Sequence, residues 1–327
     1  MRAPRLNGVS SRAGFLLRLV GTLLALALLV YLLSQQGWRE ILVAFRQIPA
    51  WRLVLALGLM FISRLAVSGR WYVLLRSAGV PVTASQALRV TFAGLFASNF
   101  LPTTVGGDVI RLAGALQLKF DAAIAAASLV VDRLVGMAGM AMALPFGLPP
   151  FLAWRQTSAA LDGVHSVVGS APLAASSLAA PLGKLWTATR GKGLSLLRRL
   201  FKALSLWVRQ PRALIISLLF TWIHMLCLFG VIYLSLSGMG EQISFWLVGG
   251  LYSLVYFVTL LPVSINGYGI QEVSMTVIFS TVGGASVGSG LTAALLFRTI
   301  MMLASLPGVV FVPSLLSGAR KQVGVVE

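Results

Sequence analysis

The sequence predicts an all-α integral membrane protein with about six full spans and two Pro/Gly-broken re-entrant hairpins. Apolar residues make up 58% of the 327 residues and charged residues only 10%, whereas soluble domains carry about 25% charged residues. The mean hydropathy is +0.91, and several apolar runs approach or exceed the roughly 18 residues that cross a bilayer. We therefore treat residues 1–327 as a single polytopic membrane domain.

The charged residues are mainly basic, with 26 Lys and Arg against 8 Asp and Glu. They cluster between apolar runs, which is typical of cytoplasmic loops that face anionic lipid. We therefore expect membrane lipids, not nucleic acid, as partners. The one cysteine, Cys227, excludes an intrachain disulfide, and with two isolated histidines we expect no metal and no cofactor. His224 is interpreted as a packed, hydrogen-bonded side chain.

The first half of the chain begins with a predicted span at residues 15–34. This apolar run is too long for the hydrophobic part of a signal peptide and has no evident cleavage site. A second span is predicted from about 51 to 67, with Arg64, Arg70 and Arg76 towards its far end. An apolar stretch at 84–101 then halts, and a short helix follows to residue 118.

A further span is predicted at 126–148. Residues 163–183 are only weakly apolar, and residues 184–212 form a basic amphipathic linker expected on the cytoplasmic surface. The second half has a span at 213–236 and an apolar stretch at 245–261 that also halts. A short helix to about residue 281 and a last span at 291–315 complete the pattern.

The two halves, about 51–150 and 213–317, share this order of span, broken hairpin and span. Gly- and Pro-broken segments in corresponding places are the best sequence indication of a transporter's binding site. The positive-inside rule puts the linker 184–212 in the cytoplasm only if 163–183 also crosses. That parity predicts an inverted repeat with both termini in the cytoplasm.

Charged groups at the breaks are the candidate binding residues, because a charge at mid-bilayer costs about 2.5–3.5 kcal/mol and needs a partner or a purpose. At the first break, free amides at the helix start and Arg111 would suit a phosphate or carboxylate. Alternatively, Asp108 is only a helix cap paired with Arg111. The candidates in this half are Asn99, Pro102, Gly106, Gly107, Asp108, Arg111, Asp132 and Arg133.

The second break offers hydrogen-bonding groups and one acid. Glu272 could neutralise an amine-bearing head group, exchange a proton, or pair structurally with Arg298 or Arg133. The candidates in this half are Pro262, Ser264, Asn266, Gly267, Gly269, Glu272 and Arg298. No Ser–His–Asp, zinc or nucleotide-binding arrangement is evident, so we do not expect an enzyme.

The same two breaks carry a family resemblance. The first runs from Asn99-Phe100-Leu101-Pro102 to Gly106-Gly107-Asp108 and Arg111, and the second from Pro262 to Gly269 and then Glu272. Supporting matches are Arg70-Trp71 with Leu74-Leu75, and Asp132-Arg133 with Gly136. With these motifs in this order, residues 15–318 resemble the lysylphosphatidylglycerol synthase transmembrane-region, or flippase-like, family.

Members of this family resemble the membrane half of bacterial enzymes that aminoacylate phosphatidylglycerol and pass the product across the membrane. The chain ends at Glu327, so the resemblance implies a stand-alone translocation module without the synthase domain. Gln271 stands where the second motif commonly has a basic residue. If that charge helps to hold an anionic head group, the substrate of this protein is expected to differ. The weak apolar character of 163–183 is a second departure.

The sequence therefore predicts translocation of a lipid or lipid-linked head group across the inner or plasma membrane, through a cavity between the two broken hairpins. One alternative is a non-transporting accessory protein that binds a lipid or isoprenoid for a partner biosynthetic enzyme. Another is an intramembrane polyprenyl-phosphate transferase with Asp108 or Asp132 as its catalytic carboxylate. The sequence names neither the lipid nor the driving force.

Overall fold

The computed structural model describes residues 46–100, 106–160, 205–260 and 269–311. All regular secondary structure in these ranges is helical. Short 3-10 turns, Leu144–Phe146 and Leu306–Val310, follow α4 and α9. The α-helices are α1 (Ala50–Ser77), α2 (Ala84–Phe100), α3 (Gly106–Gln117), α4 (Ala122–Ala143), α5 (Leu148–Ala160), α6 (Pro211–Gly238), α7 (Phe245–Thr259), α8 (Ile270–Thr281) and α9 (Val287–Leu303).

Within the described ranges, four helical segments are long and apolar enough to cross a membrane. They are α1, α4 with its 3-10 turn, α6, and α9 with its 3-10 turn. Large apolar side chains such as Val54 and Leu65 on α1 and Leu219 on α6 lie exposed on the outside, where a bilayer would cover them. The molecule is therefore a helical, multi-pass membrane protein. The predicted spans at 15–34 and 163–183, and most of the linker 184–212, lie outside the described residues.

Helix lengths follow the same order in the two halves. The helices α1 to α4 have 28, 17, 12 and 22 residues, and α6 to α9 have 28, 15, 12 and 17. The two 28-residue helices, α1 and α6, pack against each other. This order is what an internal repeat would produce, and the inverted orientation of its halves stays a prediction.

Local chemistry explains where the helices begin. The side chain of Asp121 accepts hydrogen bonds from two amides in the first turn of α4, and the hydroxyls of Ser244 and Ser286 cap α7 and α9 in the same way. Pro211 opens α6 at a position where no amide hydrogen is needed. Gly269, with φ of 79°, lies directly before α8, in the left-handed region that favours glycine.

The predicted end of the second span at residue 67 is wrong, because α1 continues to Ser77. Arg64 and Arg70 lie inside the protein instead of at a membrane surface. Arg70 finds a carboxylate there, so its charge does not force the helix to end. The predicted start of the next span at 126 was also too late, since α4 begins at Ala122.

The core lies between α1, α6, α7 and α9, where Met60, Phe229, Leu251 and Phe297 are almost fully buried. A β-carbon on Gly147 would overlap the backbone of Gly250. These two glycines therefore let α7 touch the end of α4 at backbone distance, and this contact brings α7 beside the polar face of α4.

Candidate functional site

Two glycines let α3 lie directly on α2. A β-carbon on Gly107 would overlap the Ser98 hydroxyl and lie 2.7 Å from the Gly94 carbonyl oxygen. One on Gly94 would lie 2.5 Å from the Arg111 Cγ. The close approach fixes the rotation of α3 about its own axis. The face of α3 that carries Asp108 and Arg111 is therefore directed towards α1 and α4.

Asp132 on α4 is the centre of a buried ion-pair cluster. Its Oδ1 lies 2.6 Å from the Arg70 Nε, and its Oδ2 lies 3.0 Å from the Arg111 Nη1. Asp132 is 2% exposed, so both arginines meet its charge where water is excluded. A carboxylate held by two guanidinium groups in this way joins α1, α3 and α4.

Asp108 extends the cluster outward. It lies in the first turn of α3, its third residue, and its Oδ1 is 3.5 Å from the Arg111 Nη1. It also pairs with Arg133, whose Nε donates to Oδ2 at 2.5 Å. The Arg133 side chain is 57% exposed. Charges therefore alternate from the buried Arg70 through Asp132, Arg111 and Asp108 to Arg133 at the surface, with one arginine in excess.

An aromatic ring holds Arg111 in place. Its guanidinium carbon lies 4.7 Å from the centre of the fully buried Trp71 ring, within range of a cation–π interaction. The Trp71 indole N–H donates to the Ser128 hydroxyl at 3.0 Å. Across the described ranges, the Arg111 Nε and Nη2 have no hydrogen-bond partner, so the side chain keeps unused donors beside a cavity.

The cavity has a volume of about 200 Å³ and lies between α1, α3, α4, α6 and α7. The Arg70 Nη1 donates to the Thr221 hydroxyl at 3.1 Å. The His224 Nδ1 is hydrogen-bonded to the Ser63 hydroxyl at 2.6 Å. The lining residues are Val67, Arg70, Asp108, Arg111, Asp132, Arg133, Gly136, Met140, Thr221, His224, Met225 and Tyr256.

Glu272 belongs to a second charged centre. Its Oε1 lies 2.5 Å from the Arg298 Nε, and its Oε2 accepts the Gly269 amide hydrogen at 2.9 Å. Glu272 therefore pairs with Arg298, not with Arg133, and its carboxylate also caps the backbone amide of Gly269 at the start of α8. Both charged residues are buried, but neither is among the described residues that line the cavity.

Asn99 has a different neighbourhood. Its amide nitrogen donates to the Ser305 hydroxyl at 2.9 Å and approaches the Met301 carbonyl oxygen at 3.5 Å. It ties α2 to the end of α9 and does not line the charged cavity.

The structure thus brings four predicted residues together, Asp108, Arg111, Asp132 and Arg133, with Gly106 and Gly107 at the start of the helix that carries two of them. Glu272, Arg298 and Gly269 form the separate centre. The other predicted site residues lie outside the described ranges: Pro102, Pro262, Ser264, Asn266 and Gly267.

Sequence reasoning missed four polar residues of the cavity: Arg70, Thr221, His224 and Tyr256. Arg70 was part of the family motif but was placed at a span end, and no spacing signal links it to Asp132, 62 positions away. His224 is the packed, hydrogen-bonded histidine that was predicted, and it also lines the cavity.

A family model described as the lysylphosphatidylglycerol synthase TM region matches residues 18–308. The chain belongs to this family. The match takes in every described helix, and it confirms the resemblance drawn from the two breaks. Comparison with curated proteins gives no match. Membership of the lysylphosphatidylglycerol synthase TM-region family indicates a role connected with membrane lipids.

Proposed function

We propose that the protein translocates an anionic lipid, or a lipid-linked head group, across the membrane. The head group binds in the charged cavity while its hydrocarbon chains stay in the bilayer. The observation that carries the proposal is the excess of arginine: among the described lining residues, Arg70, Arg111 and Arg133 face two carboxylates, Asp108 and Asp132. One bound phosphate monoanion would balance that charge.

The geometry of these side chains suits a phosphate group. Guanidinium groups donate two parallel hydrogen bonds to phosphate oxygens, and Arg111 has two donor atoms without a partner in the described part of the chain. Arg133 is exposed and already bonded to Asp108, so it is placed to meet a head group first. Exchange of partners, from carboxylate to phosphate, would then admit the head group.

We also propose a membrane topology for the chain. A helix of 12 residues, such as α3 or α8, is about 18 Å long, which is short of the roughly 30 Å hydrocarbon core. We propose that α2 with α3, and α7 with α8, are re-entrant hairpins beside six full spans. The protein then lies in the inner or plasma membrane with cytoplasmic termini and acts as a transporter, not an enzyme.

Leaflet exchange in proteoliposomes tests the function. Labelled anionic, aminoacylated and polyprenyl-phosphate lipids are offered to the wild type and to Arg111→Gln, Arg111→Lys and Glu272→Gln. The matched control is Arg89→Gln, which removes an exposed arginine of α2 away from the cavity. We expect selective exchange in the wild type and the control, and loss of that exchange in Arg111→Gln.

The possible outcomes separate the candidate functions. Exchange of one head-group class that needs Arg111 supports a transporter and identifies its substrate. If folded wild-type protein exchanges none of the lipids, translocation is contradicted, and the accessory-protein hypothesis takes its place. Metal-dependent turnover of a polyprenyl-phosphate lipid would instead support the transferase.

A further inference from the structure

Arg64 is a buried arginine that forms no ion pair with any carboxylate in the described part of the chain. It lies at the midpoint of the 28-residue helix α1 and is 5% exposed. Four arginines are buried in the described part of the chain, and the other three, Arg70, Arg111 and Arg298, each form an ion pair. The Arg64 Nη2 only approaches the Met301 carbonyl oxygen at 3.4 Å, and its Nε has no hydrogen-bond partner among the described residues.

Arg64 lies between the two charged centres. On one side, its chain neighbour Ser63 is hydrogen-bonded to His224 of the cavity at 2.6 Å. On the other, Arg64 approaches the carbonyl oxygen of Met301, which lies about one turn beyond Arg298 on α9. Arg64 therefore lies between the charged cavity and the helix that carries Arg298.

A purely structural role does not account for this residue. The Met301 carbonyl lies in the last turn of α9, where a helix presents only a partial negative charge. A contact of 3.4 Å is at the long limit of hydrogen bonding. Such a contact offsets a small part of the cost of placing a full charge at mid-membrane. Among the residues that the structure describes, this cation has no anion beside it.

We infer that Arg64 is a second anion-binding position, which receives the phosphate of the lipid head group as it passes between the charged cavity and the Glu272–Arg298 centre. This inference rests on the proposed translocation. Arg111 and its neighbours hold the head group before it crosses. During the crossing, the positive charge of Arg64 pairs with the phosphate. Loss of Arg64 therefore slows passage and leaves binding in the cavity intact.

Two variants remove the free charge in different ways. Arg64→Gln deletes it. Ser68→Asp keeps Arg64 but gives it a permanent partner, because Ser68 lies one helical turn further on α1, is buried, and already bonds the Arg64 carbonyl oxygen. Ser68→Asn is the uncharged control of the same size, and Arg64→Lys keeps a positive charge.

For each variant we would measure leaflet exchange of labelled phosphatidic acid in proteoliposomes and binding of the same lipid to the full chain in uncharged detergent. We expect Arg64→Gln and Ser68→Asp to slow exchange by at least about tenfold while both bind the lipid as the wild type does. Ser68→Asn and Arg64→Lys should retain exchange. Thermal unfolding reports on folding, and Ser68→Asp decides the question if Arg64→Gln does not fold.

Undiminished exchange in folded Arg64→Gln or Ser68→Asp would overturn this inference and leave the proposed function standing. Loss of binding together with exchange would also overturn it, since Arg64 would then be part of the first binding site. A folded wild type that exchanges neither phosphatidic acid nor any of the anionic, aminoacylated or polyprenyl-phosphate lipids would overturn the translocation and the inference together.

Discussion

Arg70 and Asp132 form a buried ion pair between α1 and α4, with 2.6 Å between the Arg70 Nε and the Asp132 Oδ1. The second oxygen of the same carboxylate accepts from Arg111 on α3. The Asp132 carboxylate thus holds Arg70 and Arg111 in position, and both arginines line the cavity.

Replacing Asp132 with Asn should destabilise the protein strongly. The change leaves Arg70 and Arg111 without their shared buried counter-charge, and breaking a buried pair costs about 3–5 kcal/mol. We expect a loss of this size in the free energy of unfolding, measured in detergent. Asp121→Asn on the same helix is the control and should be nearly neutral, because Asn caps a helix as well as Asp. Equal effects of the two changes would contradict the central role of Asp132.

Alanine at Gly107 should separate α2 from α3. The added β-carbon would overlap the Ser98 hydroxyl, so we expect a loss of about 1–3 kcal/mol in unfolding free energy and weaker head-group binding, since Arg111 moves with α3. Lipid binding and thermal unfolding measure the two effects. Gly58→Ala is the matched control, because a β-carbon there meets nothing within 4 Å. If Gly107→Ala behaves like Gly58→Ala, the tight contact does not position the site.

Alanine at Gly269 should strain the start of α8. Gly269 has φ of 79°, and a left-handed conformation costs other residues about 1–2 kcal/mol. We expect both Gly269→Ala and Gly269→Asn to lower the unfolding free energy by that amount, because with ψ of −46° the residue lies outside the αL well that Asn tolerates. Denaturant unfolding compares the two. Equal stability of both variants and the wild type would contradict a left-handed residue at this position.

The loop acid Glu241 should make stability depend on acid pH. Burial alone would raise its pKa, but hydrogen bonds from the Ser286 amide and from the Ser289 and Ser286 hydroxyls outweigh this and lower the pKa below its ordinary value of 4.5. A folded pKa below the unfolded one stabilises the protein above pH 4.5, and that stability is lost as the pH falls through the folded pKa. We expect the wild type to lose more stability than Glu241→Gln on acidification. Parallel thermal-unfolding curves for the two proteins would contradict this.

Much of the helix order was predictable from the chain. Apolar run lengths give the spans, and Pro/Gly breaks with polar neighbours separate α2 from α3 and α7 from α8. The acids and arginines next to the first break were predictable as a group for a physical reason: Asp108 and Arg111 share a helix face, and a charge within a span needs a partner.

Pairings between distant segments were not predictable. Nothing in one sequence tells whether Glu272 pairs with Arg298 or Arg133, because both lie in apolar spans. The end of α1 was misplaced for a related reason. An arginine within an apolar run indicates a membrane surface when it is read alone, and only the tertiary structure places Asp132 opposite Arg70. The packing of side chains from separate helices decides which acid pairs with which arginine.

The excess arginine of the cavity has an electrical consequence. Three guanidinium groups against two carboxylates give the described lining of the empty cavity one net positive charge, whereas the same lining around a monoanion is neutral. If the cavity changes sides, the step with the empty protein is electrogenic and the step with the loaded protein is not. A membrane voltage would therefore act on the return of the empty protein, by up to about 2.3 kcal/mol per 100 mV, and would set the cycle rate without changing head-group affinity.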